Sequence, residues 1–444
     1  MTPSSPKPKA RPFALLHAAA ISKDPVGYLK KRQLEDGDPF CVRFPSVGDV
    51  YFTGHPEGAK EIFTADRETF EPPEFNPVAP ILGDHSLILL KGERHRKERK
   101  MMMPHFAGER MRAYEEIIHE LSLAEIKSWT ENQSFSAFGM TQSIILQVIF
   151  QGIFGVRDSA KRAKFKILVI DLLTNYTPAL AVLPFLRQKL GGVGPWSKFL
   201  RRRDAFDAAL MEEIEQRRQT GTEGREDILS LLMNTRYDDG TTLSTQELIE
   251  EIRTLLVGGH DTSSNTLAWA FYFVLSCPEI LHRVRSEISN LGSHPTPSAL
   301  TKLPYLSAVC NEALRIYPPV PFALRRVLKP FRLRGIQLDP GDNLAIAMVL
   351  LHHNPQVWDA PEKFFPERFM NQKYSLYDFA PYGGGVRRCI GAAFATHAMK
   401  IVIGTLVHYA DLALTGTSKV IPAVNNITMG PNKTIPLLYR GKLN

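Results

Sequence analysis

The chain has 444 residues, 44% hydrophobic and 23% charged, with a formal net charge of +8. That balance suits a globular protein with an ample core and excludes a charge-rich disordered chain. Its four cysteines, Cys41, Cys277, Cys310 and Cys389, lack pairable spacing and form no Cys-x-x-Cys. This argues against a disulfide framework or zinc site and fits a reducing, cytoplasmic setting.

Residues 1–12 are rich in Pro, Ser and Lys and lack the apolar core of a signal peptide. Residues 1–24 are expected to form a disordered leader ahead of a single domain over 25–444. No stretch approaches the roughly 20 apolar residues of a membrane span, so no transmembrane anchor is expected. Short strands are predicted at Phe40–Phe44 and over 50–53. Segment 91–100 carries six basic residues against two acidic ones. Such a run ordinarily marks a solvated helix face. Nucleic acid is not expected, because no aromatic residues interleave with the charges; an acidic protein partner is a further reading.

Helical periodicity dominates from about 108 to 316. Ser244-Thr245-Gln246-Glu247 predicts a capping box opening a helix that runs to about Ser276. Inside it, Gly258-Gly259-His260-Asp261-Thr262-Ser263 places two glycines where each costs about 1 kcal/mol relative to alanine. The Thr262 hydroxyl can turn back to the Gly258 carbonyl, loosening the ladder and admitting water, with Asp261 beside it as a proton source. A packing kink with Asp261 simply paired is the alternative. On the next predicted helix, 303–317, Glu312 and Arg315 are three apart and share a face. Strand-like sequence returns at 327–338, and Phe365-Pro366-Glu367-Arg368-Phe369 places another arginine in an apolar, proline-pinned setting.

Near the C-terminus stands Phe379-Ala380-Pro381-Tyr382-Gly383-Gly384-Gly385-Val386-Arg387-Arg388-Cys389-Ile390-Gly391, followed by an apolar helical stretch over 392–406. Glycines let a backbone pass close to a flat macrocycle. A cysteine at a helix mouth gains the positive dipole end and free N–H groups. Arg387 can neutralise a carboxylate while adding positive potential near the sulfur. A lone buried cysteine is often only a small hydrophobe. A phosphate-cradling loop would continue into Gly-Lys-Ser/Thr, which does not follow here. The segment resembles the cysteine-ligand loop of the cytochrome P450 family, Phe-x-x-Gly-x-Arg-x-Cys-x-Gly, with Tyr382 in place of the usual Phe. Gly258 to Ser263 resembles that family's oxygen-activation motif at every position, and Glu312-Ala313-Leu314-Arg315 its Glu-x-x-Arg signature. The likeness covers nearly the whole chain from about residue 25.

The resemblance implies a mainly α fold with small β-sheets (α+β), the triangular, helix-rich single domain of the P450 fold, holding heme b. It implies Cys389 as iron ligand in a loop closed by Gly391, and His95, Arg99, Arg325 and Arg387 as partners of the heme carboxylates, with Arg326 an alternative to Arg325. Asp261 and Thr262 would deliver protons, and Glu312, Arg315 and Arg368 would form a buried structural triad. The implied reaction is monooxygenation, hydroxylating or epoxidising a lipophilic small molecule such as a fatty acid, terpenoid or steroid. It would use O2 and electrons from a separate ferredoxin or flavodoxin-type donor. That donor would dock on a basic face including Arg94, Arg96, Arg388 and Lys400. Substrate-lining segments are expected at 72–87, 172–185, 320–324 and 427–429, with Leu82, Leu87, Leu255, Gly258, Val320, Phe322, Ala323 and Thr428 as lining residues. The protein is expected to be a monomer. A peroxide-driven peroxygenase or a non-catalytic heme sensor or carrier are the alternatives; the former typically lacks the acid–alcohol pair that is intact here. Tyr382, whose hydroxyl can reach toward the ligand loop, Ala398 at a frequent Glu position, and His352-His353 depart from the pattern. The two histidines read as a helix-end polar pair.

Overall fold

Ser244 caps the helix Thr245–Ser276 through reciprocal bonds: its hydroxyl accepts the Glu247 N–H and the Glu247 carboxylate accepts the Ser244 N–H. At 32 residues this helix is about 48 Å long and spans the molecule. The structure, a computed structural model, describes residues 6–108, 110–237, 239–416, 419–425 and 428–443. Around the long helix pack Ala137–Val148, Pro195–Thr220, Pro304–Ile316 and Ala392–Tyr409, the last also lying along Arg110–Lys127. Their apolar faces merge into one core that includes Ile144, Leu256, Trp269, Val309 and Ile403.

The sheets are small and peripheral. Phe40–Phe44, Gly48–Thr53, Asn343–Ile346, Ala323–Val327 and Phe70–Glu71 form a five-stranded sheet in that order. Gln133–Ser136, Pro436–Lys442 and Ala410–Leu414 form a second. The predicted strand over 327–338 is divided. Arg334 (φ 45°) and Gly335 (φ 88°) make the tight turn between Phe331–Leu333 and Ile336–Leu338, a conformation suited to hairpins.

The expected disordered leader is corrected. Ala14–Lys23 is a helix with His17 and Ile21 buried, packed on Phe40–Phe44 and Pro422–Asn425, and Asp24 caps the next helix, Pro25–Asp36. Lys7 pairs with Asp339 and Asp342 at 2.7 Å each. Only two positions of Ala14–Lys23 are buried, so its amphipathic signal is faint beside the Pro- and Lys-rich composition that precedes it. Residues 1–5 lie outside the described residues.

Candidate active site

The ligand loop is shaped from outside. A Cβ on Gly385 (φ +62°) would sit 2.7 Å from the Phe63 carbonyl oxygen, and one on Gly384 2.5 Å from the Phe63 ring. The helix Pro56–Thr64 thus presses the loop into a course that glycine alone accepts. The Cys389 N–H donates to the Tyr382 carbonyl at 2.9 Å, and the Gly391 N–H favours the thiolate of Cys389. Gly391 is the N-cap of Ala392–Tyr409, so the sulfur lies at the positive end of that helix. Cys389 carries accessible surface, yet burial is the largest influence on its thiol and pushes its pKa up, opposed by Gly391, Arg99 and Arg388. The accessible face of the sulfur opens on the space that a ligand would occupy.

Cations gather around the same space. His95 and Arg99 lie one turn apart on the helix Gly92–Met102. Burial first, then Arg387, Arg99 and Arg325, push the His95 pKa down to about 3. Arg387 is lowered to about 10 by burial, then by Arg325 and Arg99, and Arg325 to about 10 by burial. Among the described residues Arg325 donates only to its neighbour's carbonyl, Leu324, at 2.7 Å. Arg387 donates to the carbonyls of Leu87 (3.4 Å) and Leu90 (2.5 Å). Among the described residues none of these three guanidiniums is paired with a carboxylate. Buried charges without counterions are costly, so the cluster is chemically complementary to a dianionic group. A thiol near Arg99 and a carboxylate-binding cluster beside it fit the iron and propionates of heme.

Across the core, the long helix opens toward accessible space at one point. Gly258 is exposed although most of its neighbours are buried, and a Cβ there would meet nothing within 4 Å. The Thr262 Oγ1 donates to the Gly258 carbonyl at 2.6 Å. Ser264 and Thr266 do the same to the carbonyls of His260 and Thr262, at 2.8 Å each. Three hydroxyls in succession compete with the backbone ladder, which loosens and bends helices. Asp261 is partly buried beside Thr262.

Behind the loop, Glu312 and Arg315, both 0% exposed, pair at 2.7 Å, and Arg368 joins Glu312 at 3.1 Å. Arg315 also donates to the carbonyls of His352, Pro361 and Lys363, and Arg368 to that of Asp359. Glu312 further accepts the Phe365 N–H at 2.9 Å. The network pins the segment that leads to Cys389.

A family model described as Cytochrome P450 matches residues 3–437. The chain belongs to the cytochrome P450 family. Among its relatives, cytochrome P450 138 of Mycobacterium tuberculosis is 31% identical over 392 residues, covering 85% of this chain and 83% of that protein. Cytochrome P450 137 of the same species is 30% identical over 413 residues, covering 91% and 84%. Among solved structures, retinoic acid bound cyanobacterial CYP120A1 superposes with a TM-score of 0.86 at 25% identity, covering 99% of this chain and 100% of that one. The P450DA mutant heme domain superposes at 0.87 and 21% identity, covering 100% and 98%, and speaks for the fold. This P450 is therefore a mainly α protein with small sheets, its cofactor is heme b, and its general reaction class is heme-dependent monooxygenation with O2 and an electron donor.

Several sequence expectations meet a different geometry. The Tyr382 hydroxyl bonds Thr396 at 2.9 Å in the following helix, not the ligand loop. Arg94 is tied to Glu247 and to Glu98, and lies over the Tyr237 ring, because it lies between two helices. Lys400 donates to the Thr301 carbonyl at 2.8 Å and is half-buried, so it offers little to a docking face. Of the expected lining residues, Gly258, Val320, Phe322 and Ala323 retain accessible surface. Leu82 is 1% exposed and Thr428 3%, the latter bonded to Asn265. Leu87 and Leu255 are also buried. Phe322 packs against Phe44 and Phe52 on the five-stranded sheet. Ile427 lies outside the described residues. Ala398 is buried in the core. Sequence reasoning missed Phe63 as the shaping element and His352 as a partner of the ligand segment. No local signal marks His352, whose partner Ala380 lies 28 residues on.

Proposed function

We propose that this P450 is a single-domain, monomeric, cytoplasmic monooxygenase that hydroxylates or epoxidises a lipophilic small molecule with electrons from a ferredoxin or flavodoxin-type donor. The observation that carries the reading is the exposed backbone at Gly258, with Thr262 bonded back to the carbonyl of Gly258 and an acid beside it. Heme, when bound, supplies the oxidising chemistry and the activation of dioxygen. Cys389 is assigned as its ligand, held by the Gly391 N–H and the dipole of Ala392–Tyr409. His95, Arg99, Arg325 and Arg387 are assigned to its carboxylates. Thr262 orders water at the exposed turn, and Asp261 takes a proton from solvent and passes it to that water. Glu312, Arg315 and Arg368 hold the loop and take no part in the chemistry.

A lipophilic substrate is supported by the apolar character of the accessible lining residues Val320 and Ala323. Similarity to a solved relative bound to retinoic acid, an isoprenoid acid, points the same way. For the donor, Lys97 and Arg388 are exposed, and Arg96 is only loosely engaged with Glu93 at 3.3 Å; opposite charge on a donor would speed encounter. The test is a spectral titration against retinoids, fatty acids and steroids, followed by turnover with a ferredoxin system and with peroxide alone. Product formed with the ferredoxin system and dioxygen supports the reading. Product from peroxide alone at an equal rate would convert it to a peroxygenase, and failure of every lipophilic ligand to shift the spectrum would overturn the substrate class.

A further inference from the structure

One buried group on the long helix has no role in the machinery above. His260 is 1% exposed. Its Nδ1 lies 2.8 Å from Asp261 Oδ1, but among the described residues neither nitrogen makes a well-formed hydrogen bond. A buried polar atom without a partner is costly, and here two share one ring. Adjacent side chains on a helix diverge by about 100° and do not ordinarily face each other. The approach of His260 to Asp261 therefore requires both to lean together. Around it two hydroxyls share acceptors of the ladder: Ser264 bonds the His260 carbonyl and Thr262 bonds that of Gly258. The Asp261 side chain retains 17% exposure, so the carboxylate has a buried flank at His260 and an accessible flank on the other side.

We propose that His260 is a positioning residue for Asp261. A small rotation of the ring aims Nδ1–H at the carboxylate and holds Asp261 in the orientation that serves Thr262. His260 keeps its proton throughout; the proton that moves passes through Asp261 alone. The proposal rests on the monooxygenase reading for its purpose, but the contact itself is measured separately.

The first measurement uses holoprotein labelled with ¹⁵N-histidine in the diamagnetic ferrous carbonyl state. The ring signal absent in His260→Asn identifies His260. It is expected to report an Nδ1–H tautomer and to shift in Asp261→Asn. A signal unmoved by Asp261→Asn, or an Nε2–H tautomer, overturns the proposal. The second measurement is the fraction of reducing equivalents released as hydrogen peroxide during donor-driven turnover. His260→Leu is expected to raise it about threefold or more, and His260→Asn, whose Nδ2 stands near the position of Nδ1, to restore it. A merely structural role predicts that Leu and Asn behave alike, which also overturns the proposal. If His260→Leu fails to fold, the shift in Asp261→Asn decides. If the two residues couple by NMR but no compound is oxygenated, the functional reading fails and the contact stands.

Discussion

His352 Nε2 accepts the backbone N–H of Ala380 at 3.0 Å. The carbonyl of the same histidine accepts Arg315 Nη1 at 2.8 Å. One buried residue therefore joins the Glu312 network to the segment that enters the Cys389 loop. The imidazole must remain neutral to accept, and burial together with Arg315 pushes its pKa down to about 3.

That shift fixes a pH dependence. As pH falls below about 6.5, the unfolded chain takes up the proton before the folded one does. The contribution of His352 is complete above about pH 6.5 and declines toward pH 3, at about 1.4 kcal/mol per pH unit. His105, pushed to about 4 by burial, acts with the same sign. His352→Gln keeps an acceptor near Nε2 but cannot titrate. Denaturant midpoints between pH 7.5 and 4.5 are expected to fall less steeply for this variant; parallel slopes would refute the account.

Glu312→Gln leaves Arg315 and Arg368 buried without their carboxylate. The expected loss is about 3–5 kcal/mol, read from urea unfolding, together with faster loss of heme from the folded protein. A loss below 1 kcal/mol, the range of exposed pairs, would mean that the network is not structural.

Tyr382→Phe removes the bond to Thr396 and leaves the Tyr382 carbonyl that accepts the Cys389 N–H. Stability is expected to fall by about 1 kcal/mol while the heme reduction potential stays unchanged. A shifted potential would show that the hydroxyl reaches the ligand loop after all.

Arg388→Glu and Arg94→Glu separate docking from packing. Arg388 is exposed and forms no ion pair among the described residues, so its reversal is expected to slow reduction by the donor at low salt and leave unfolding unchanged. Arg94 bridges Glu98 and Glu247, so its reversal is expected to lower stability first. Stopped-flow reduction at two ionic strengths, beside thermal unfolding, reads both.

The parts of this molecule legible in sequence are those whose chemistry is local. The Cys389 motif, the turn from Gly258 to Thr262 and the pair Glu312–Arg315 each declare their chemistry within a few residues, even though the course of the Cys389 loop is set by the distant Phe63. The pocket wall is different. Leu82 and Val320 are both apolar and near the site, yet one is buried and the other accessible, because that depends on how loops cross rather than on any period. The His352–Ala380 bond spans 28 residues, and Ala14–Lys23 acquires its place only from the strands it covers. Arg94 is exposed, as a basic run predicts, but its bridge to Glu98 and Glu247 belongs to the packing of two distant helices.

The loop that carries Cys389 is moulded by residues made much earlier. Phe63 sets the course of Gly384 and Gly385, and Arg387 reaches back 300 residues to Leu87. Synthesis proceeds from the N-terminus, and early segments can settle first. The residues that shape the loop therefore precede it in synthesis, so the course of the Cys389 backbone depends on elements that can be in place before the loop itself is made.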